Sequence, residues 1–352
     1  MSGLGANAYV SLTEQTADYP TFKVSPTTRD VFARVVSDET DVNQNTFEST
    51  ALGSRTVSQM YPGERTVDSP IEFEVGFEGV LIYLLKHVLG GYDFTTNTLI
   101  GGGALTGAMR HLFFPKEVLP FGFSMEIGLG GVPAADKVLR YPGTKVSSVE
   151  FGLEQGKIMT CKAQMMPRDE DHNETAGAPY GWTQLQAPTF AAIKPVKFWY
   201  HVALTVAGTA VVKCRSWKMK IDNDLERNFN LSQITDEPLP KSKRKVTLEA
   251  TIQFEDLTHY RKYKQAIDGS FSLFVQSGPP PGATLNDQVI VGTTPYGFLI
   301  TGNNARITAG RPKQTDAGTI LMPLNCQLYA PTGNEIQIDV QNGQATAGAD
   351  IL

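Results

Sequence analysis

The stretch Ile71–Tyr83 reads IEFEVGFEGVLIY, and a related stretch, Leu248–Tyr260, reads LEATIQFEDLTHY 177 positions later. Both alternate ahead of a shared Phe-Glu pair. Ile71, Phe73, Val75 and Phe77 are the apolar positions of the first, and Leu248, Ala250, Ile252 and Phe254 those of the second. Successive side chains of a strand point to opposite faces, so this alternation predicts a strand with one face buried. Past the pair the period changes. Val80, Leu81, Leu84, Leu85, Val88 and Leu89 fall close to helical spacing, as do Leu257, Tyr260, Tyr263 and Ile267. Each copy predicts a strand that turns directly into a helix, the first over 78–89. Gly90-Gly91 closes one and Asp268-Gly269 the other.

The same offset relates a second pair of segments. Val149, Phe151 and Leu153 alternate up to a turn at Gly156, followed by Met159, Cys161 and Ala163. Their counterparts are Cys326, Leu328 and Ala330, then Gly333, then Ile336, Ile338 and Val340. Two homologous halves are therefore expected. They divide as a first β domain with an N-terminal arm over 1–175, a linker or loop over 176–195, and a second β domain with a C-terminal tail over 196–352.

Composition agrees with a mainly β chain. The sequence has 352 residues, enough for a core in each half. Its 33 Gly and 21 Pro, with Val-rich and Thr-rich stretches, favour strands and turns over helices. A net charge of −5 argues against a protein that grips nucleic acid through counterion release, which needs a basic face. The opening MSGLGANAYV has neither the basic nor the apolar segment of a signal peptide. VLIYLLKHVLGG is too short to span a bilayer and contains Lys86 and His87, so no membrane insertion is expected. Cys161, Cys214 and Cys326 read as reduced core residues of a protein made in the cytoplasm.

Between these landmarks, residues 1–30 read as a polar arm or edge piece, and 31–60 as two strands around a polar excursion. Tyr92–Leu112 suggests an extended hairpin or a flexible loop. Strands follow near 119–127, 137–141, 146–154 and 158–165. Residues 166–195 lack periodicity, 278–295 form a long loop, and the chain from Ala347 reads as mobile.

Motifs for chemistry are poor matches. GLEQGKI at 152–158 is one residue short of a phosphate loop and has Ile158 where a hydroxyl is required. Asp222-Asn223-Asp224 opens like a calcium loop, but Arg227 stands in place of the turn glycine and Gln233 in place of the closing carboxylate. The five histidines have no metal-ligand spacing, and no nucleophile elbow is present. No catalytic residue, cofactor or metal is assigned. An enzyme would need a carboxylate pair that nothing here points to. A sugar-binding sandwich or adhesin module is a further alternative, for which Trp182, Trp199 and Tyr200 would offer stacking surfaces.

The polar faces of the strands carry more information. Glu72 and Glu74, Glu150 and Glu154, Glu249 and Gln253, and Glu335 and Gln337 lie opposite the apolar positions, giving one neutral-to-acidic face per half. Lys157, Lys162, Lys218 and Lys220 interrupt it. Basic residues cluster instead in KSKRK, namely Lys241, Lys243, Arg244 and Lys245, and on the second helix at Arg261, Lys262 and Lys264. Such a cluster can meet an acidic segment of a neighbouring copy, such as the one containing Asp169 and Glu170.

Three segments together carry a resemblance: PIEFEVGFEGVLIYLLKHVLGG, then CRSWKMKIDNDL running through NFNL to KVTLEATIQFEDLTHYRKY, and the final hairpin, the two strands around Gly333. With them the chain resembles the tail tube proteins of tailed bacteriophages over most of residues 12–342. The long 92–112 and 278–295 segments depart from that pattern. The resemblance implies β-sandwich or barrel-like domains flanked by helices, in rings whose inner strands close into a barrel. Rings of this kind stack into a hollow tube through which double-stranded DNA leaves the capsid without specific binding. It implies a virion protein assembled in the host cytoplasm, with itself, the tape measure protein, the tail terminator and the baseplate or distal tail proteins as partners. The tube of a contractile particle such as a tailocin is the related alternative. Two halves per chain would then close a trimeric, pseudo-sixfold ring. Glu72, Glu74, Glu249, Gln253, Glu335 and Gln337 would face the lumen, and Lys241, Lys243, Arg244, Lys245, Asp169 and Glu170 the neighbouring subunits.

Overall fold

The computed structural model describes residues 8–15, 31–48, 60–77, 79–101, 103–129, 138–171, 181–183, 185, 187, 202–211, 213–229, 235–277, 289–291, 294–313 and 320–342. The fold is mainly antiparallel β with two helices. Both strand-to-helix units are present. Met60–Glu74 leads into the helix Val80–Leu89, and Lys245–Gln253 into the helix Thr258–Gln265. Each helix is followed by a hairpin: Gly90–Thr98 with Ala104–Pro115, and Gly269–Gln276 with Gly297–Ala309. The 92–112 segment is thus the hairpin of the two alternatives, closed by Leu99 N donating to Gly103 O at 2.7 Å.

One large sheet joins the two halves. Its central order runs through Met60–Glu74, Thr160–Met166, Val138–Glu154, Cys214–Asp222, Lys245–Gln253 and Leu321–Tyr329. The Val138–Glu154 strand of the first half bonds directly to the Cys214–Asp222 strand of the second, with Phe151 opposite Met219. Gly297–Ala309 then turns the corner. Its far end pairs with Leu321–Tyr329, while its near end lies between Gly269–Gln276 and Gln337–Asn342 in a second layer. Ile71, Phe73, Phe151, Trp217, Leu248 and Leu324 point from the first layer into the core, and Phe271, Phe298, Ile300 and Val340 come from the second. The rings of Phe151 and Phe298 meet across this interface at 5.5 Å between centroids. Alternation along Cys214–Asp222, Lys245–Gln253, Gly269–Gln276 and Leu321–Tyr329 follows from this layering, with one face against the core and one in water.

Three boundaries differ from the sequence reading. The strands expected at 137–141 and 146–154 are one, Val138–Glu154, because Pro142-Gly143 bends the chain without ending the pairing; Gly143 has φ +56°. The final pair, Leu321–Tyr329 and Gln337–Asn342, flanks Gly333 as expected but does not form a hairpin. Both strands bond to Gly297–Ala309, so the pairing differs from that of Val138–Glu154 with Thr160–Met166. Residues 166–171, which open the stretch without periodicity, are tied to the body: Arg168 donates to Thr235 O, and Tyr141 donates to Glu170 at 3.0 Å. Of the linker expected over 176–195, residues 181–183, 185 and 187 are described, and there Trp182 exchanges backbone hydrogen bonds with Val138; Phe198–Tyr200, residues 278–288 and the tail from Ala347 lie outside the described residues.

The two helices follow similar stretches of sequence but do not share an environment. In Val80–Leu89 all residues except Lys86 are buried, because a small sheet of Tyr9–Glu14, Val31–Arg34 and Phe123–Gly128 closes over it. The N-terminal segment expected as an arm thus supplies the middle strand of that sheet. The Thr258–Gln265 helix buries only His259. Asp256 Oδ1 accepts from Thr258 N at its start, and left-handed Ala266 ends it before the Asp268-Gly269 pair expected to do so.

A charged knot pins the cover to the first helix. Glu14 accepts from Lys86 Nζ at 2.9 Å, and its Oε1 lies 3.2 Å from Nε2 of the buried His87. Burial alone would raise the Glu14 pKa, but His87 and Lys86 outweigh it and hold it at about 2. Burial pushes the His87 pKa below its ordinary value, more strongly than Glu14 raises it. Both depressed pKa values mean that the unfolded chain binds more protons, so stability falls as pH falls. Melting temperature is expected to drop first as pH passes below about 6.5 through His87, then again below about 4.5 through Glu14. In Glu14→Gln the second step is expected to shrink; melting curves between pH 8 and 3 check this.

Candidate functional site

The polar face of the large sheet is a built surface whose register is fixed by the core beneath it. In six consecutive strands Glu72, Lys162, Glu150, Lys220, Thr247 and Gln327 stand opposite one another in a single row. The next row runs Glu74, Thr160, Gly152, Lys218, Glu249 and Asn325. Directly opposed residues hold their Cβ atoms about 5 Å apart. Each lysine of the first row therefore has a carboxylate in at least one neighbouring strand.

Ion pairs cross between the rows as well. Lys218 Nζ lies 3.5 Å from Glu150, and Lys220 Nζ 2.7 Å from Asp222. Burial would raise the Asp222 pKa, but Lys220 and the Asp224 backbone N–H lower it below the usual carboxylate range. At the turn, Lys157 pairs with Glu154 at 2.6 Å. The face predicted as neutral-to-acidic is charge-alternating. The lysines that interrupted the acidic pattern in sequence are placed in register with it.

Of the six residues expected on a common face, four share this one: Glu72, Glu74, Glu249 and Gln253. Glu335 and Gln337 do not join them. Glu335 sits in the connection before Gln337–Asn342 and pairs with Arg244 at 3.1 Å. Gln337 belongs to the second layer, where its Nε2 donates to Asp339. Alternation assigns a residue to one face of its own strand, but it cannot say which layer that strand joins.

The basic cluster likewise divides. Lys243 is exposed, and Lys241 is exposed and paired with Glu226 at 2.9 Å. Lys245 stands opposite Asp222 at the end of the charged face. Arg244 turns inward. Its Nε donates to Asn223 Oδ1 at 2.8 Å, Nη1 to Glu335 at 3.1 Å, and Nη2 to Lys116 O at 3.1 Å and Leu89 O at 3.5 Å. Asn223 Nδ2 in turn donates to Val88 O at 2.8 Å. Arg244 and Asn223 therefore satisfy the last carbonyls of a helix belonging to the other half of the chain. The aspartate-rich run that resembled the start of a calcium loop has this capping role at its centre. Asp169 is bonded to Arg65, and Glu170 accepts from Tyr141, so each has a partner within the chain.

Among the described residues no group of three or more His, Cys, Asp or Glu is arranged to hold a metal ion. Cys161 and Cys326 are buried free thiols whose pKa values burial raises, the latter to about 12. Trp182 is covered by the Arg140 guanidinium, 4.6 Å from its ring centroid. No helix of the described residues is long and apolar enough to cross a membrane.

In comparison with known proteins, a family model described as phage tail tube protein matches residues 5–320. No curated protein matches the chain.

Proposed function

Because the chain belongs to the phage tail tube protein family, we propose that it closes into rings that stack as the hollow tube of a virion tail, the conduit for genome ejection. The observation that carries this reading beyond the family is the sheet shared by the two halves. Strands from both lie side by side in one continuous surface, with a strand-to-helix unit in each half. Three such chains would supply six strand-to-helix units, and the ring is trimeric with pseudo-sixfold symmetry. Its inner wall is the charge-alternating face, with Glu72, Glu74, Glu249 and Gln253 toward the lumen. Closure into a ring pairs or covers strand edges that would otherwise invite aggregation. The role is structural, and the neighbours in the tail are further copies, the tape measure protein, the terminator and the baseplate proteins. Cryo-microscopy of assembled tubes is expected to show three chains per ring. Six chains per ring would sink the trimer, and a wall formed by another face would sink the lumen assignment.

A further inference from the structure

Asp268-Gly269 is the one Asp-Gly step in the sequence. It connects the helix Thr258–Gln265 to the strand Gly269–Gln276, and packing dictates its second residue. The turn at Ala207-Gly208 lies so close that a Cβ on Gly269 would come within 2.5 Å of Ala207 C and 2.6 Å of Ala207 O. Gly208 N donates to Ser270 O at 2.8 Å, which holds the turn in place. A side chain there would force main chain to move, so glycine is required.

That glycine leaves the linkage open to chemistry. With no side chain to hinder it, the Gly269 nitrogen can attack Cγ of Asp268. An N–Cγ bond forms, the carboxyl gives up its OH and the amide its H as water, and a succinimide ring closes. Water then opens the ring at either carbonyl. Breaking the N–Cγ bond restores aspartate, whereas breaking the bond to the main-chain carbonyl gives isoaspartate, whose chain runs through Cβ and Cγ. The extra main-chain atom falls where Gly269 has no room to shift.

Asp268 is held against this reaction. Arg306 Nε donates to its Oδ1 at 2.8 Å and Nη2 to its Oδ2 at 2.7 Å, the planar fork that matches a carboxylate. The Tyr329 hydroxyl also donates to Oδ2, and the Arg306 guanidinium lies 5.7 Å from the Tyr329 ring centroid. Strand register brings the three together: Gly269 stands opposite Ala305, the neighbour of Arg306, and Asn304 opposite Tyr329. Ring closure needs the protonated carboxyl, since a carboxylate would have to expel oxide. Hydrogen bonds from Arg306 and Tyr329 hold the Asp268 carboxyl at about 2, below its ordinary 3.8. Turning Cγ onto the Gly269 nitrogen would also break the fork.

We propose that Asp268-Gly269 is a latent site of backbone isomerisation and that Arg306 and Tyr329 form a clamp that suppresses it. Arg306 is 51% exposed and Asp268 25%, so the pair adds little to stability; its place on the one Asp-Gly step is what singles it out. A tail tube protein built into a virion is not replaced, so a slow backbone reaction accumulates in it.

Full-length parent, Arg306→Gln, Tyr329→Phe and Asp268→Glu chains are incubated near neutral pH and digested, and the peptide spanning 268–269 is separated with mass detection. Isoaspartate elutes apart at unchanged mass. Arg306→Gln is expected to form it about tenfold faster than the parent, the effect of returning the carboxyl toward its ordinary range, discounted for solvent screening. Tyr329→Phe is expected to give a smaller rise, and Asp268→Glu none, because the longer side chain closes a less favourable ring. Asn342, also followed by glycine but wholly buried, is the internal control for loosened folding, since its deamidation changes the mass. An Arg306→Gln rate equal to that of the parent, or a rise matched at Asn342, overturns the clamp. Fast isoaspartate formation in the parent itself overturns it as well.

Discussion

Replacing Arg244 by alanine lowers the melting temperature of the chain by roughly 10 °C, the consequence of losing about 3–5 kcal/mol. The side chain is 13% exposed and forms four hydrogen bonds, one to a carboxylate. Its removal leaves Glu335 without its cation, and it uncovers Leu89 O and Lys116 O between the two halves. Lys116 N still donates to Leu89 O at 2.8 Å, so the helix end keeps one partner. The larger part of the loss is the unpaired carboxylate and Asn223, whose hold on Val88 O depends on being oriented by Arg244. Arg244→Lys keeps the charge but has no planar fork to reach all four acceptors, so most of the loss is expected to persist. Lys243→Ala, one residue away on an exposed side chain, is expected to change stability by less than about 0.5 kcal/mol. Thermal melts of the three variants as dispersed chain check this. Near-parental melting of Arg244→Ala would mean that the residue acts between copies, as its place in a basic run suggested.

Arg244 shows where sequence reading reached its limit. The run KSKRK gives five consecutive residues with the same outward appearance, yet only Arg244 is turned inward. What selects it is the position of a helix end 155 residues earlier in the chain, which no local pattern contains. The strand-to-helix units were legible for the opposite reason. Ile71 to Phe77 and Leu248 to Phe254 obey a two-residue period that only a half-buried strand satisfies, and Gly90 takes the left-handed conformation that ends the first helix. The burial of that helix was less visible. Its cover comes from Tyr9–Glu14, a strand in a region that reads as polar and turn-rich. The final pair of strands is instructive in the same way. Alternation located Leu321–Tyr329 and Gln337–Asn342 but could not tell that both bond to Gly297–Ala309. The face carrying Glu72 and Glu249 was legible strand by strand. Its alternation of charge was not, because opposition between Glu150 and Lys220 is a matter of register between two halves of the chain.

That register governs how the face treats a polyanion. Double replacement Glu72→Lys/Glu150→Lys is expected to raise the affinity of the dispersed chain for double-stranded DNA by about 100-fold or more at about 50 mM salt. In the parent, Lys162 stands between Glu72 and Glu150, and Lys220 between Glu150 and a threonine with Asp222 at 2.7 Å. A phosphate approaching either lysine meets carboxylates at nearly the same distance, so few counterions are released on contact. The two substitutions leave four cations in a row, at positions 72, 162, 150 and 220, across adjacent strands about 4.8 Å apart. Contacts with four phosphates would give a logarithmic salt slope near −3.6. Glu72→Gln/Glu150→Gln removes the repulsion without building the row and is expected to bind only weakly. If this face lines the lumen as proposed, assembled tubes of the lysine variant are expected to retain DNA and those of the parent to release it. Strong, salt-dependent binding by the parent would show that its lysines are available to phosphates. An unchanged affinity in the lysine variant would show that this face does not meet DNA as a unit. Either result would remove the charge-balanced row from the proposed role of this face as a lumen wall.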